Sequence, residues 1–118
     1  MPKKSGIVRN KFRVRTDDIG KAERTADGIV FDSKKEARHY GTLKLLEKSK
    51  KISALQLQPV FRIEVNGQLI CKYIADFQYL DHSDLQVHTV DCKGMKTDVY
   101  RLKKKLLKAT WDIDIEEV

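Results

Sequence analysis

Four residues of this chain have types and spacing that could do chemistry together: Glu36 in SKKEARHY, Asp76 in KYIADFQY, and Asp91 and Lys93 in TVDCKG. Carboxylates gathered around one point repel each other unless a divalent cation is present. Hard oxygen ligands of this kind select Mg²⁺, with Mn²⁺ as a substitute. Such an ion lowers the pKa of a bound water and offsets charge building on a phosphoryl oxygen. A lysine beside it could orient the attacking water or stabilise a pentavalent transition state. The chemistry implied is metal-assisted attack of water at a phosphoryl group. No P-loop, nucleophilic serine or cysteine arrangement, or histidine motif competes for the role, and His39, His82 and His88 are unclustered, reading as surface or packing residues.

Each of these residues also has a plainer reading. Asp91 and Lys93 share one face of a strand because side chains alternate with period two, so a local salt bridge would explain them. Leu85, Val87 and Thr89 precede them on that face, which passes from apolar to charged. Asp is depleted in strand interiors, so Asp76 could instead start a turn, although Phe77 and Tyr79 continue the strand pattern. Ser33 followed three residues later by Glu36 forms a capping box. Yet at about 100° per residue Glu36 also falls in line with Tyr40 and Leu43, at the head of a buried stripe.

The elements that must position these groups follow from periodicity and turn chemistry. Residues 1–20 read as a flexible basic arm and residues 21–118 as a single domain. Asp27-Gly28 reads as a turn, leading into the short apolar piece Ile29-Val30-Phe31. A helix then runs from Ser33 to about Lys50, with Tyr40, Leu43 and Leu46 as its stripe. Pro59 marks a break before a strand at 60–65, a hairpin turn at Asn66-Gly67, and a second strand at 68–79. Asp81 to Asp84 form a further turn, and a third strand runs from Leu85 to Cys92 and ends at Gly94. Thr97 or Asp98 caps a second helix with Val99, Leu102, Leu106 and Ala109 as its apolar stripe. Trp111, Ile113 and Ile115 alternate with acids and fit a last strand at a sheet edge. The order is helix, three strands, helix, strand.

The totals narrow the function classes. The 118 residues fit one modest core, and 41% apolar with 35% charged residues lies within globular range. No run approaches the ~20 apolar residues of a membrane span. The basic start has no apolar stretch after it and does not read as a secretory signal. Cys71 and Cys92 are isolated thiols, read as reduced and partly buried, which points to the cytoplasm and away from zinc. A net charge of +7 attracts polyanions. Lys3, Lys4, Arg9, Lys11, Arg13 and Arg15 occur with no acid among them, and Lys96, Arg101, Lys103, Lys104, Lys105 and Lys108 cluster on or before the second helix. An arm and a helix of this kind suit phosphate contacts, where each contact releases counterions.

In order and spacing, FDSKKEARHY, YIADF, VDCKG and KTDVYRLKKKL resemble the small phage-associated, junction-resolvase-like members of the PD-(D/E)XK nuclease superfamily, over roughly residues 26–110. That resemblance implies an α/β (α+β) fold with a restriction-endonuclease-like core: a mixed central sheet flanked by helices. It implies Asp76 and Asp91 as metal ligands, with the Cys92 carbonyl as a possible further one, Lys93 as the catalytic lysine, and Glu36 as the helix-borne acid completing the site. Gln58 before Pro59 resembles a polar residue near some of these sites. Ala75 stands where the signature has proline before Asp76. The implied activity is Mg²⁺-dependent DNA endonucleolysis on branched substrates such as Holliday junctions, by a homodimer, in phage DNA recombination or processing within the host cytoplasm. A non-catalytic DNA-binding accessory protein with a degenerate nuclease fold, or an RNA-processing nuclease, is the alternative.

Overall fold

The computed structural model describes residues 20–92 and 95–118. By its internal contacts the chain divides into two units, Met1–Thr42 and Leu43–Val118. In the first, strands β1 (Thr25–Ala26) and β2 (Ile29–Val30) form a small antiparallel hairpin. Asp27 and Gly28 turn it with φ of 54° and 74°, the left-handed pair that a two-residue hairpin requires. Helix α1 (Lys34–Lys48) begins here and runs across the division. Its start is capped by Ser33, whose Oγ accepts from the Glu36 N–H at 3.0 Å. Tyr40 is anchored within this unit: its ring lies 5.0 Å from that of Phe31, and its hydroxyl donates to Asp27 at 3.0 Å.

The second unit holds a four-stranded mixed sheet in the order β3-β6-β7-β8, with β3 (Ile52–Leu57), β6 (Phe77–Asp81), β7 (Gln86–Asp91) and β8 (Ile115–Glu117). The first two pairings are antiparallel and β7–β8 is parallel. A separate two-stranded ribbon joins β4 (Val60–Val65) to β5 (Gln68–Ile74) through Asn66-Gly67, both left-handed as the hairpin signal predicts. Helix α2 (Asp98–Trp111) is capped by Thr97, whose side chain accepts from the Tyr100 N–H. Phe61, Ile63, Tyr73, Ala75, Leu107 and Ile115 form a core joining ribbon, helix and β8. The fold is thus a mixed α+β arrangement with a mixed sheet, and among the described residues no helix is long and apolar enough to cross a membrane.

Several expected elements differ. Strand β3 is additional to the expected order. Its alternation changes phase at Ala54, which is left-handed at φ 55° within a register shift between Ser53 and Gln56. Ile52 is buried on one side of that shift, and Leu55 and Leu57 are half-buried on the other, so no single period-two pattern spans the strand. The run expected as one strand over 68–79 is two strands in different sheets, and Asp76 lies at the junction rather than inside a strand. Leu85 belongs to the turn, left-handed and 77% exposed, and Val87 is exposed too, so the face leading to Asp91 is buried only from Thr89 onward. On α2 the expected stripe is displaced: Val99, Leu102 and Ala109 are exposed, Leu106 is half-buried, and Leu107 is the buried residue. Trp111 ends the helix instead of starting a strand.

Candidate functional site

The junction between ribbon and sheet is where acidic side chains meet. Chain leaving β5 keeps its pairing on both sides through Ala75 and Asp76: the Ala75 N–H donates to the Pro59 carbonyl at 3.1 Å and the Gln58 N–H to the Asp76 carbonyl at 3.0 Å. The Asp76 N–H donates both to the Val90 carbonyl at 3.1 Å and to Asp91 Oδ1 at 3.0 Å. In return, the Cys92 N–H donates to Asp76 Oδ2 at 2.7 Å. The two aspartates are therefore clasped reciprocally, each carboxylate accepting from backbone beside the other. Asp76, before β6, and Asp91, ending β7, meet because those strands pair antiparallel with Phe77 opposite Val90.

Asp91 is wholly buried, and a buried carboxylate needs donors. The hydroxyl of Tyr73, on β5, donates to its Oδ2. Burial of the ring, that hydrogen bond and the Asp91 charge push the Tyr73 phenol far above its usual range, so it stays a donor. The ring of Tyr73 lies 6.4 Å from that of Tyr100, whose hydroxyl donates to Glu117 at 2.6 Å. Burial, then that bond to Glu117, raises the Tyr100 phenol as well. Glu117 sits opposite Asp91 in the β7–β8 register, and the Val118 N–H donates to the Asp91 carbonyl at 3.0 Å.

Of the residues singled out by sequence, the structure brings Asp76 and Asp91 together, with half-buried Cys92 bonded between them. Glu36 stands on α1, 3% exposed, one turn from buried Tyr40, as its place at the head of the stripe predicts; its backbone completes the Ser33 cap. Lys93, Gly94 and the cations of the arm, Lys3, Lys4, Arg9, Lys11, Arg13 and Arg15, lie outside the described residues. Lys96 and Lys104 are paired with Glu117 at 3.1 and 3.3 Å, and Arg101 with Asp98 at 3.1 Å. Gln58 is exposed and left-handed at φ 49°, its N–H fixed on Asp76; a non-glycine residue so placed carries about 1–2 kcal/mol of strain.

Three participants escaped sequence reading. Glu117 comes opposite Asp91 through the β7–β8 register, and Tyr73 reaches Asp91 by its hydroxyl from the separate ribbon; residue spacing reveals neither. His88, expected to be unclustered, instead bonds Glu116 through Nδ1 and Asp84 through Nε2 at 2.8 Å, with Asp81 at 3.9 Å and the Tyr79 ring stacked at 5.4 Å. Asp81, Asp84 and His88 bring their ligand atoms within 4.8 Å of one another, making them, among the described residues, a group able to hold a metal ion. Asp81 ends β6 and Asp84 lies in the turn that follows, at the far end of β6 from Asp76.

A family model described as "Protein of unknown function (DUF1064)" matches residues 19–116, which include Glu36, Asp76, Asp91 and Lys93. The chain belongs to this family. No curated protein and no solved structure matches it. Within this DUF1064 chain the Asp76–Asp91 clasp and the basic face of α2 both lie in the second unit.

Proposed function

We propose that this DUF1064 protein is a metal-dependent endonuclease acting on DNA, with a restriction-endonuclease-like core. The observation that carries the reading is the reciprocal clasp of Asp76 and Asp91 where a ribbon strand enters a mixed sheet. The donor set is all oxygen, which suits Mg²⁺ or Mn²⁺. Among the described residues the Asp91 carboxylate accepts two hydrogen bonds, while a carboxylate offers about four lone-pair positions, so acceptor capacity is left for a cation. Asp76, half-buried, supplies the second carboxylate, and the Cys92 carbonyl a further oxygen. When bound, the cation supplies a water of lowered pKa and a sink for charge on the phosphoryl oxygens.

The chain's own residues do the rest. Tyr73 and the Asp76 N–H fix the Asp91 carboxylate so that it cannot turn away. The Cys92 N–H does the same for Asp76. Lys93, two residues past Asp91, is assigned to orient the attacking water. Cations of α2 position the phosphate backbone, which fixes register without reading sequence. Structured branches such as four-way junctions are the substrate assigned, cut by a homodimer.

The test is cleavage of linear, nicked, flapped and four-way DNA, and of structured RNA, with Mg²⁺, Mn²⁺ or EDTA. Metal-dependent cutting of branched DNA is expected, reduced by about 10²-fold or more in Asp76→Asn, Asp91→Asn and Lys93→Ala, the scale of losing one group that stabilises the transition state. Binding with no metal-dependent cutting would leave the clasp a structural device in a DNA-binding accessory protein. Cutting confined to RNA would transfer the activity to RNA processing.

A further inference from the structure

A cavity of about 450 Å³ lies between α2 and β8. Lys96, Arg101, Lys104, Lys105 and Lys108 line it against two acids, Asp114 and Glu117. Glu117 sits where a bound anion would sit. Its carboxylate accepts from the Tyr100 hydroxyl at 2.6 Å and pairs with Lys96 at 3.1 Å and Lys104 at 3.3 Å. Two ammonium groups and a phenol around two acceptor-only oxygens are the donor set a phosphate group takes. The Tyr100 hydrogen bond first, then that from Lys96, holds the Glu117 carboxyl at about 2, so it is charged throughout the physiological range. Glu117 is also opposite Asp91 in the β7–β8 register, which places the cavity one strand away from the acidic clasp.

We propose that this cavity is a phosphate subsite for nucleic-acid backbone and that Glu117 is its built-in competitor. The carboxylate occupies the subsite in the free protein, and an incoming phosphate displaces it, inheriting Lys96, Lys104 and Tyr100. The exchange keeps Lys96 and Lys104 paired in the bound state. It raises the threshold for binding, so a single weakly placed phosphate is rejected while a backbone engaging several cations together is accepted. The ligand assigned rests on the nucleic-acid reading above, but the subsite does not depend on cleavage.

The experiment uses the full chain in EDTA. Affinity for a fluorescent duplex and a four-way DNA is measured by anisotropy across a salt series, and inorganic phosphate is titrated onto ¹⁵N-labelled protein. Glu117→Gln, which keeps a partner for Tyr100, is expected to bind DNA about three- to tenfold more tightly. Its log–log salt dependence should steepen by about one, as for one added phosphate contact. Phosphate should shift the Tyr100, Lys104 and Glu117 amides and do so at lower concentration in Glu117→Gln. Glu64→Gln removes the same charge from β4, outside the cavity lining, and should give a smaller gain. In a Lys96→Ala/Lys104→Ala background the Glu117→Gln gain should vanish. Equal gains in Glu64→Gln and Glu117→Gln, or a gain that survives without the two lysines, would reduce the effect to net charge and overturn the proposal. Thermal melts establish that each variant is folded. If this binding series holds but no metal-dependent cutting occurs, the nuclease reading fails and the subsite stands.

Discussion

Taking a carboxylate out of water costs on the order of several kcal/mol unless donors replace the solvent, so Asp91 has to be understood together with the groups that bond it. One oxygen receives the Asp76 N–H and the other the Tyr73 hydroxyl, and the phenol remains protonated because burial and the carboxylate both oppose its ionisation. Removing that hydroxyl leaves a buried acceptor short of a donor, a change that typically costs about 1–3 kcal/mol. Tyr73→Phe is therefore expected to lower unfolding free energy by that amount in urea melts while keeping the ring's packing. Under the nuclease reading, it should also reduce cleavage by less than Asp91→Asn does, because the ligand is loosened rather than removed. A Tyr73→Phe protein as stable as the parent would show that Asp91 finds its second donor elsewhere. At this scale the sequence was informative about which acids are unusual and silent about what holds them. Asp76 and Asp91 stand out because carboxylates are rare in such apolar surroundings. Tyr73 looks like any strand aromatic until the β5–β6 junction brings it beneath Asp91.

Among the elements, α2 shows why a correct helix can be given the wrong face. Val99, Leu102, Leu106 and Ala109 have helical spacing, but Tyr100, Leu107 and Trp111 supply a competing set, and periodicity does not choose between them. The core does: Leu107 closes against the ribbon and β8, with Tyr100 and Leu106 beside it. Trp111 joins them by an edge contact with Phe61 at 5.5 Å and a hydrogen bond from Nε1 to the Arg62 carbonyl at 2.9 Å. Half-buried Lys103 and Lys104 extend apolar stems over this surface and keep their ammonium groups on polar partners. Leu107→Ala should cost about 2–5 kcal/mol of stability, as deletion of a fully buried leucine does. Leu102→Ala, at a 59% exposed position, should fall within about 0.5 kcal/mol of the parent. Matching losses in chemical denaturation would restore the stripe expected from sequence. Strand β3 was illegible for a related reason, since its bulge at Ala54 reverses which side faces inward. The split at Ala75–Asp76 was hidden by continuous strand-forming residues, because a change of sheet is decided by partners far along the chain.

For the molecule as a whole, a net charge of +7 conceals an opposed pattern in which the acidic C-terminal segment is drawn onto basic groups. Asp112 and Asp114 are drawn onto Lys108, and the two glutamates of β8 onto two further places. Glu116 binds His88 of β7, so an ionic contact adds to the three register pairs that hold β8 to the sheet. Glu117 binds Lys96, Lys104 and Tyr100 and ties β8 to α2 and the segment before it. These contacts titrate in opposite directions. His88 faces Glu116 from β8, Asp84 from the turn and Asp81 from β6, with the Tyr79 ring stacked on it. Glu116 first, with Asp84 helping, raises the imidazole above its ordinary 6.5 against the effect of burial. A raised folded pKa means that its contribution is fully present below about 6.5 and is lost as pH rises through the folded value. Glu117 is the reverse case: lowered from 4.5 to about 2, it contributes above 4.5 and loses that contribution as pH falls toward 2. Both contacts are therefore complete between about 4.5 and 6.5, where these groups place the maximum of thermal stability. Melting temperature measured from pH 3 to 9 should fall on both sides of that interval. His88→Gln should flatten the alkaline side alone, and Glu117→Gln the acid side alone. Because both contacts are partly exposed, each effect should shrink at high salt. A profile unchanged by either substitution would mean that backbone pairing with β7 and the buried Ile115 hold β8 without help from its charges.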